Sequence, residues 1–555
     1  MKLFFQKHHR FIFYSSWIIL GLIQSRFTEL LDDEAYYWVY SKFLDWGYFD
    51  HPPMTGLLIK MGYAIFPNEL GVRLFPLLLN VLSLMIIEKL ISNKHPLLFY
   101  AIALSVAVLQ LSGFAAVPDI PLIFFTALFF WSYKKFMGGY SLLSALLLGI
   151  SIAMLLYSKY HAVLIVLFTL LSNLKLFAKY QAWLAVVIAL LLFAPHLWWQ
   201  YQHDWVSFRY HLFESNVNAY KFSFTSEYIL GQLLLPGPIA GFILLPAAFL
   251  YKSKNETEKA LQYTFTGIYT FFLLSSFRGK VEGNWTSPVL VPLVVLSHQF
   301  LLNKIKWQKI LYRLLPITLV LVLFARIIMI ADILPVKAIQ QRYHAWKVWP
   351  QQMKEKTKGL PVVFSNSYQR ASKYWFYSGQ TTYSQNWYRG RRNNYNFWPI
   401  EDSMLGKPVY FLDKHLLYRF PDSLKTPIGE VGYIYDSSLA SFAKIKIVVT
   451  PEKISVKKGE AITLNCHFEI PEFYSSFIRS HDIVRDTIRI GVFDKQVWVK
   501  DIFTDLSLKK MNENRETLLK IDPALPGGKY YLRFAINCGH NNPTHNSDKI
   551  ELVIE

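Results

Sequence analysis

The chain has 555 residues, 53% of them hydrophobic and 17% aromatic, and carries a formal net charge of +20. Apolar runs recur from Phe11 to Ile333, which excludes a single soluble globular domain and reads as a polytopic membrane protein with a soluble tail.

A helix needs ~20 apolar residues to cross the hydrocarbon. Eleven stretches are expected to span, near 11–25, 71–88, 96–112, 119–133, 141–157, 161–177, 182–199, 228–250, 261–277, 286–302 and 311–333. The first has a basic flank but no small-residue cleavage pattern after Gln24-Ser25-Arg26, so it is expected to stay as a span. Lys2, Lys7 and Arg10, then the pairs Lys89/Lys94, Lys134/Lys135, Lys175/Lys179 and Lys252/Lys254, then the run Lys304 to Arg313, fall on one side of that count, which the positive-inside rule makes the cytoplasm. The loop after the first span, the Asp119 turn, the 200–227 loop, the 278–285 loop and everything after Ile333 then face outward.

That first outer loop is acidic in a basic protein. From Arg26 to Leu70 there are three basic residues and seven acidic ones, a local net of −4. Within DDEAYYWVYSKFLDWGYFDHPP (residues 32–53), Tyr36, Tyr37, Tyr40 and Phe43 share a helical face, with Asp33 and Glu34 at its first turn, where the helix dipole favours carboxylates. An N-cap accounts for one of these acids, not for five in a loop at the membrane surface. Pro52 and Pro53 make a rigid turn that holds Asp50 and His51.

Arg73 opens the second span, either snorkelling to headgroups or binding a phosphate. Asp119 stands between two prolines in VPDIPL, where an isolated carboxylate is costly unless it is paired or serves a cavity. Lys159 and Tyr160, in SKYH (158–161), are substrate-contact candidates or interfacial anchors. His196, Trp198, Trp199, Tyr201, His203 and Trp205 read as an aromatic belt without catalytic duty. In FRGKVEGNWTSP (277–288), Arg278 and Lys280 break the charge bias of an outer loop, and with Glu282 they are candidates for binding an anionic group.

From Arg342 to Trp398, ten basic residues and one acidic one are interleaved with fifteen aromatics. That pattern can bind single-stranded nucleic acid, but an outward-facing segment suits anionic lipid headgroups or a phosphorylated, sugar-bearing ligand better, so no nucleic acid is expected. Strand-like PVVF and KPVYFL point to a small α/β unit, residues 336–443. Short alternating runs from Lys444 onward point to an Ig-like β-sandwich over 444–555. Cys466 and Cys538 both fall in it, bonded to each other or as two buried thiols.

Asp33-Glu34 after the first span, YFDHPP, Arg73, VPDIPL, SKYH and RGKVEGNW, in that order, resemble glycosyltransferase family 39, a relative of the protein O-mannosyltransferases and the lipid A aminoarabinose transferases with the GT-C membrane fold. The likeness covers roughly residues 10–400 and leaves the sandwich outside. It implies a catalytic domain over 1–335 with its first outer loop at 26–70. It also implies sugar transfer, with inversion, from a polyprenyl-phosphate-linked donor to lipid A, another glycan or a protein, outside a bacterial cytoplasmic membrane.

In that resemblance Asp33 matches the catalytic aspartate and Asp119 the second important carboxylate. Asp50 stands where the aminoarabinose transferases have a Glu that touches a metal, so Mg or Mn is the cofactor it allows. His51 stands where they have Lys and is mostly neutral at pH 7, leaving Arg73, Lys159, Arg278 or Lys280 to meet the donor phosphate. Glu34 is expected to contact the substrate and, with Asp50, to shape the site or hold the divalent cation. The rival reading is a transporter or flippase for a lipid-linked or anionic solute, with charged residues near helix ends lining its path.

Overall fold

The structure, a computed structural model, describes residues 2–214, 220–415, 417–483, 486–495, 497–539 and 542–555; residues 215–219 of the expected outer loop 200–227 fall outside that set. The chain divides into two compact units, Met1–His344 and Ala345–Glu555.

The first unit is helical. In chain order it contains α1 (Lys2–Phe27), α2 (Asp32–Lys42), α3 (Met54–Ile65), α4 (Glu69–Leu90), α5 (Pro96–Ser105), α6 (Ala107–Leu111), α7 (Asp119–Met137) and α8 (Leu142–Ser158). There follow α9 (Ala162–Ser172), α10 (Tyr180–Gln202), α11 (Val206–Arg209), α12 (Phe222–Leu234), α13 (Gly241–Leu250), α14 (Glu256–Ser276), α15 (Leu290–Leu301) and α16 (Ile305–Ile330). Local chemistry sets several starts: the side chains of Asn68, Ser141 and Asn255 accept backbone N–H bonds at the first turns of α4, α8 and α14. The short helix α2 lies between α1 and α3, with Asp32, Asp33 and Glu34 in its first turn, as the dipole favours.

All eleven stretches expected to span are helical over most of their length; the run 161–177 pauses at Asn173 between α9 and a 3-10 turn, Leu174–Ala178, and two others are also broken. The run 96–112 pauses at Val106 between α5 and α6, and the run 228–250 pauses at Pro236-Gly237-Pro238 between α12 and α13. The two pauses meet: the Ala107 amide donates to the Pro236 carbonyl at 3.1 Å. Gly237 is required there, since its φ of +120° disfavours any side chain and a Cβ would sit 2.9 Å from the Ser105 carbonyl. Among the described residues, α4, α10 and α16 are long and apolar enough to cross a membrane by length and composition; α3, α5, α8, α9 and α13 are apolar but shorter.

Loops expected on one side of the membrane do touch one another. Lys134 Nζ donates to the Lys89 and Leu90 carbonyls at 3.3 Å, Ser92 Oγ to Glu258 at 2.9 Å, and Arg10 and Tyr14 both reach Glu88 at 2.9 Å. At the other helix ends Asp119, Lys159, Asn284 and Ser287 come together.

The second unit holds an α/β part and a β-sandwich. Strands β1 (Val362–Ser365), β2 (Thr382–Gln385), β3 (Val409–Asp413), β4 (Asp422–Thr426) and β5 (Gly429–Asp436) form a sheet ordered β2-β1-β3-β5-β4. Strand β1 pairs in parallel with β2 and β3, and helix Tyr368–Ser378 makes the crossover between β1 and β2. The sandwich comprises β6 (Lys446–Thr450), β7 (Lys453–Val456), β8 (Ile462–Glu469), β9 (Thr487–Asp494), β10 (Val497–Ser507), β11 (Glu516–Ile521), β12 (Gly528–Asn537) and β13 (Ile550–Ile554). Its sheets run β10-β9-β12-β13-β7 and β11-β8-β6, and β8 alternates buried and exposed residues along its length, as a strand with one wet face must.

Cys466 and Cys538 are free thiols in the sandwich core, and burial pushes the Cys466 thiol up to about 11. The aromatic wealth of 342–398 is largely core: Tyr374, Tyr383, Tyr388 and Tyr395 are fully buried. Arg389 is stacked over Trp498, 3.5 Å from the ring centroid, and its Nη2 donates to Asp501 at 3.1 Å. These groups are occupied with packing, not spread as a binding groove.

Candidate active site

The site grows from the start of α7. Asp119 is buried there, and three partners from distant parts of the chain close on it. Its Oδ1 accepts from Lys159 Nζ and from Ser287 Oγ, both at 2.7 Å, and its Oδ2 accepts from Asn284 Nδ2 at 2.9 Å. Lys159 caps the end of α8, and Asn284 and Ser287 lie on the 3-10 turn Gly283–Val289 that leads into α15. A lysine and a carboxylate, each costly alone at such depth, neutralise one another here.

The acidic loop after α1 is brought to the same place by its aromatic residues. Tyr36 donates to Asp50 Oδ2 at 2.7 Å, and Tyr48 packs against Tyr40 with its hydroxyl on the Tyr40 and Phe43 carbonyls. The chain after α10 folds back on this loop. Ser207 Oγ donates to the Tyr48 carbonyl at 2.8 Å, and His211 Nε2 lies 2.9 Å from the Asp50 carbonyl oxygen. The His51 ring stands 5.7 Å from Tyr37 and 6.5 Å from His211 and feels the charges of Lys159 and Asp119. Burial, reinforced by Lys159, pushes its pKa down to about 3, so it is neutral.

Glu34 joins the loop to the Asp119 turn. Its Oε1 accepts the Ala116 amide at 2.8 Å and its Oε2 the Leu31 amide at 2.8 Å. Burial alone would raise this carboxyl, but the Arg73 guanidinium and the two amides outweigh it and hold the group below the usual carboxylate range.

Two expectations are corrected here. Arg73, expected at the surface as a phosphate ligand or snorkelling cation, is fully buried; Nε and Nη2 bond Glu34 at 2.8 and 2.5 Å, and Nη1 and Nη2 bond the carbonyls of Ser25, Thr28 and Glu29. All five of its N–H groups are spent. Glu34, expected as a substrate contact, is consumed by the same pair.

The other expected residues divide. Asp33 and Arg278 are exposed; Asp33 opens α2 one residue before Glu34, and Arg278 closes the end of α14. Lys280 and Glu282 are exposed and paired with each other at 3.1 Å. The Tyr160 hydroxyl is 3.3 Å from His196 Nε2 and accepts from Gln200 at 3.0 Å.

The expected aromatic belt also splits: Trp198 and Tyr201 are exposed, whereas His196 bonds the Trp46 carbonyl at 2.7 Å and Trp199 Nε1 bonds Asp45 at 2.8 Å, gripping the acidic loop. Sequence reasoning missed His211 and Gln232; the signal for Gln232 was a polar residue inside an apolar run just before Pro236-Gly237-Pro238. Among the described residues no group of three His, Cys, Asp or Glu is placed to hold a metal, and Asp50 already accepts from Tyr36, so the residues beside Asp50 do not fit the expected cation.

Residues 50–199, which contain Asp50, His51, Asp119 and Lys159, match the family described as Dolichyl-phosphate-mannose-protein mannosyltransferase. The chain is 25% identical over 299 residues, 51% of its length, to lipid A galacturonosyltransferase RgtD of Rhizobium johnstonii, and spans 62% of that relative. Its fold is similar to ArnT from Cupriavidus metallidurans in the apo state, with a TM-score of 0.59 at 13% identity over 77% of this chain and 98% of that one. It is similar also to the same protein bound to undecaprenyl phosphate, with a TM-score of 0.57 at 14% identity over 76% and 97% of the two chains. This chain therefore has an ArnT-like GT-C fold and carries, over residues 50–199, the sequence signature of the PMT-type glycosyltransferases.

Proposed function

We propose that the protein transfers a sugar, with inversion, from a polyprenyl-phosphate-linked donor to a lipid, glycan or protein of the cell envelope, on the outer face of a bacterial cytoplasmic membrane. The observation that carries this reading is the buried Asp119–Lys159 pair held by Asn284 and Ser287, because it puts a fixed cation beside the acidic loop within the stretch that matches the mannosyltransferases. The names of the similar proteins, a lipid A sugar transferase and an undecaprenyl-phosphate binder, support the donor and a lipid acceptor.

Asp33 takes the proton of the acceptor hydroxyl. The acceptor oxygen bonds to the anomeric carbon, the bond from that carbon to the phosphate oxygen breaks, and the polyprenyl phosphate leaves with the electron pair. Asp119 is unsuited to be the base, since a carboxylate holding a lysine, an amide and a hydroxyl is committed as an ion. It is a positioning residue that aims Lys159, whose ammonium has three donors and gives one to Asp119. The remaining donors of Lys159, with exposed Arg278, meet the departing phosphate.

Full-length protein reconstituted with a polyprenyl-phosphate sugar and lipid A is expected to yield glycosylated product by mass spectrometry, and Asp33→Asn about 10²-fold less or lower still. Absence of product from the unaltered protein with every donor supplied, or full activity in the variant, overturns the proposal.

A further inference from the structure

We propose that the uncharged polar atoms left without a protein partner around Asp119, Nδ1 of His51, Nδ1 of His161 and the amide head of Gln232, receive the hydroxyl groups of an uncharged sugar on the donor. This inference rests on the transferase reading and names the class of sugar that it moves.

Gln232, on α12, is 6% exposed, and its Oε1 accepts from Thr286 Oγ1 at 2.5 Å. The Thr286 hydroxyl also lies 3.1 Å from the Gly283 carbonyl, and it has one proton to give. Whichever way the Gln232 amide is turned, one of its two heads is therefore buried without a protein group to bond. Thr286 adjoins Ser287, which holds Asp119, so Gln232 braces the turn that builds the site.

His161 stands at the other flank of that turn. Its ring lies 5.3 Å from Trp285 and 5.2 Å from Phe272, and its Nδ1 is buried without a partner. His51 approaches from the first outer loop and feels both Lys159 and Asp119.

A buried polar atom without a partner is costly, so three around one ion pair mark a place prepared for polar groups from outside the chain. The charge balance says which kind. Asp119 is already spent on Lys159, Asn284 and Ser287, and Lys159 on Asp119 and the donor phosphate, so neither member of the buried pair is left to meet a charge on the sugar. Hydroxyls of a neutral sugar donate to and accept from imidazoles and an amide without that cost.

The test is calorimetric binding to full-length protein in lipid nanodiscs, using farnesyl phosphate bare or linked to a neutral hexose, a uronate or an amino sugar. The hexose is expected to raise affinity at least tenfold over the bare phosphate, and the charged sugars to give no such gain. Gln232→Leu and His161→Phe are each expected to weaken the hexose-bearing ligand about tenfold and the bare phosphate by no more than about twofold. A charged sugar that binds more tightly than the hexose overturns the inference. So does an equal loss for both ligands, the mark of a merely structural role, or no loss at all, the mark of ordered water at these atoms. Hexose-dependent binding without transfer product would leave the inference standing and remove the transferase reading instead.

Discussion

Arg73 and Glu34, 39 residues apart, form a closed and fully buried pair, with Arg73 Nε and Nη2 on the two carboxylate oxygens at 2.8 and 2.5 Å. The remaining arginine donors bind the carbonyls of Ser25, Thr28 and Glu29, so one side chain ties the exit of α1, the start of α2 and the start of α4.

Arg73→Met is expected to destabilise the protein by about 3–5 kcal/mol, because it leaves Glu34 charged and buried. Adding Glu34→Gln restores part of that loss, which thermal unfolding in detergent measures as a departure from additivity between the two substitutions. The folded fraction of Arg73→Met is expected to bind a polyprenyl phosphate as the unaltered protein does.

Asp33→Asn is the opposite case. The side chain is exposed, so its loss costs far less stability than breaking the buried pair, while turnover falls about 10²–10⁴-fold. Single-turnover kinetics beside a melting curve separate the two effects.

Lys159→Met is expected to raise the KM for the donor at least tenfold, as the loss of one charged contact implies, and to lower the melting temperature because Asp119 keeps only Asn284 and Ser287. Donor KM and melting temperature of the same preparation check both halves.

Gly47 lies against the Trp199 ring, where an added Cβ would sit 2.4 Å from Cε3. Gly47→Ala is expected to push the indole away, weaken its bond to Asp45 and cost about 1–3 kcal/mol, with a shift in tryptophan fluorescence. Trp199→Leu in the same chain is expected to relieve most of that strain.

Glu401 is buried in the second unit, where it accepts from Ser441, from the Ala443 amide at 3.1 Å and from Tyr474 at 2.6 Å. Burial raises its pKa above the ordinary 4.5, so the folded chain holds this proton more tightly than the unfolded chain does. Its contribution to stability is full below pH 4.5 and declines as pH rises through the raised value. Glu401→Gln, which mimics the protonated form, is expected to flatten that decline, as hydrogen exchange at the Ala443 amide of the full chain reports.

The broken helices and the corrected arginine show where reading from residues alone stops. Pro236-Gly237-Pro238 was visible within an apolar run, yet only its meeting with the Val106 break explains why two pauses are tolerated, since each supplies a partner that the other lacks. Arg73 at a helix end looks the same in sequence whether it faces a phosphate or a carboxylate, because its partner is set by chain folding and not by its neighbours.

By itself the sequence determined the eleven largely helical stretches, the change to strands after residue 360 and the position of Asp119 at the start of a helix. Those features follow from local hydrogen bonding and from the apolar period of each segment. Tertiary structure alone decided that Asp119 is spent on Lys159, that Arg73 is spent on Glu34, and that His211 and Gln232 belong beside them. The free energy of a buried charge or amide depends on groups tens to hundreds of residues away, and no spacing along the chain encodes that distance.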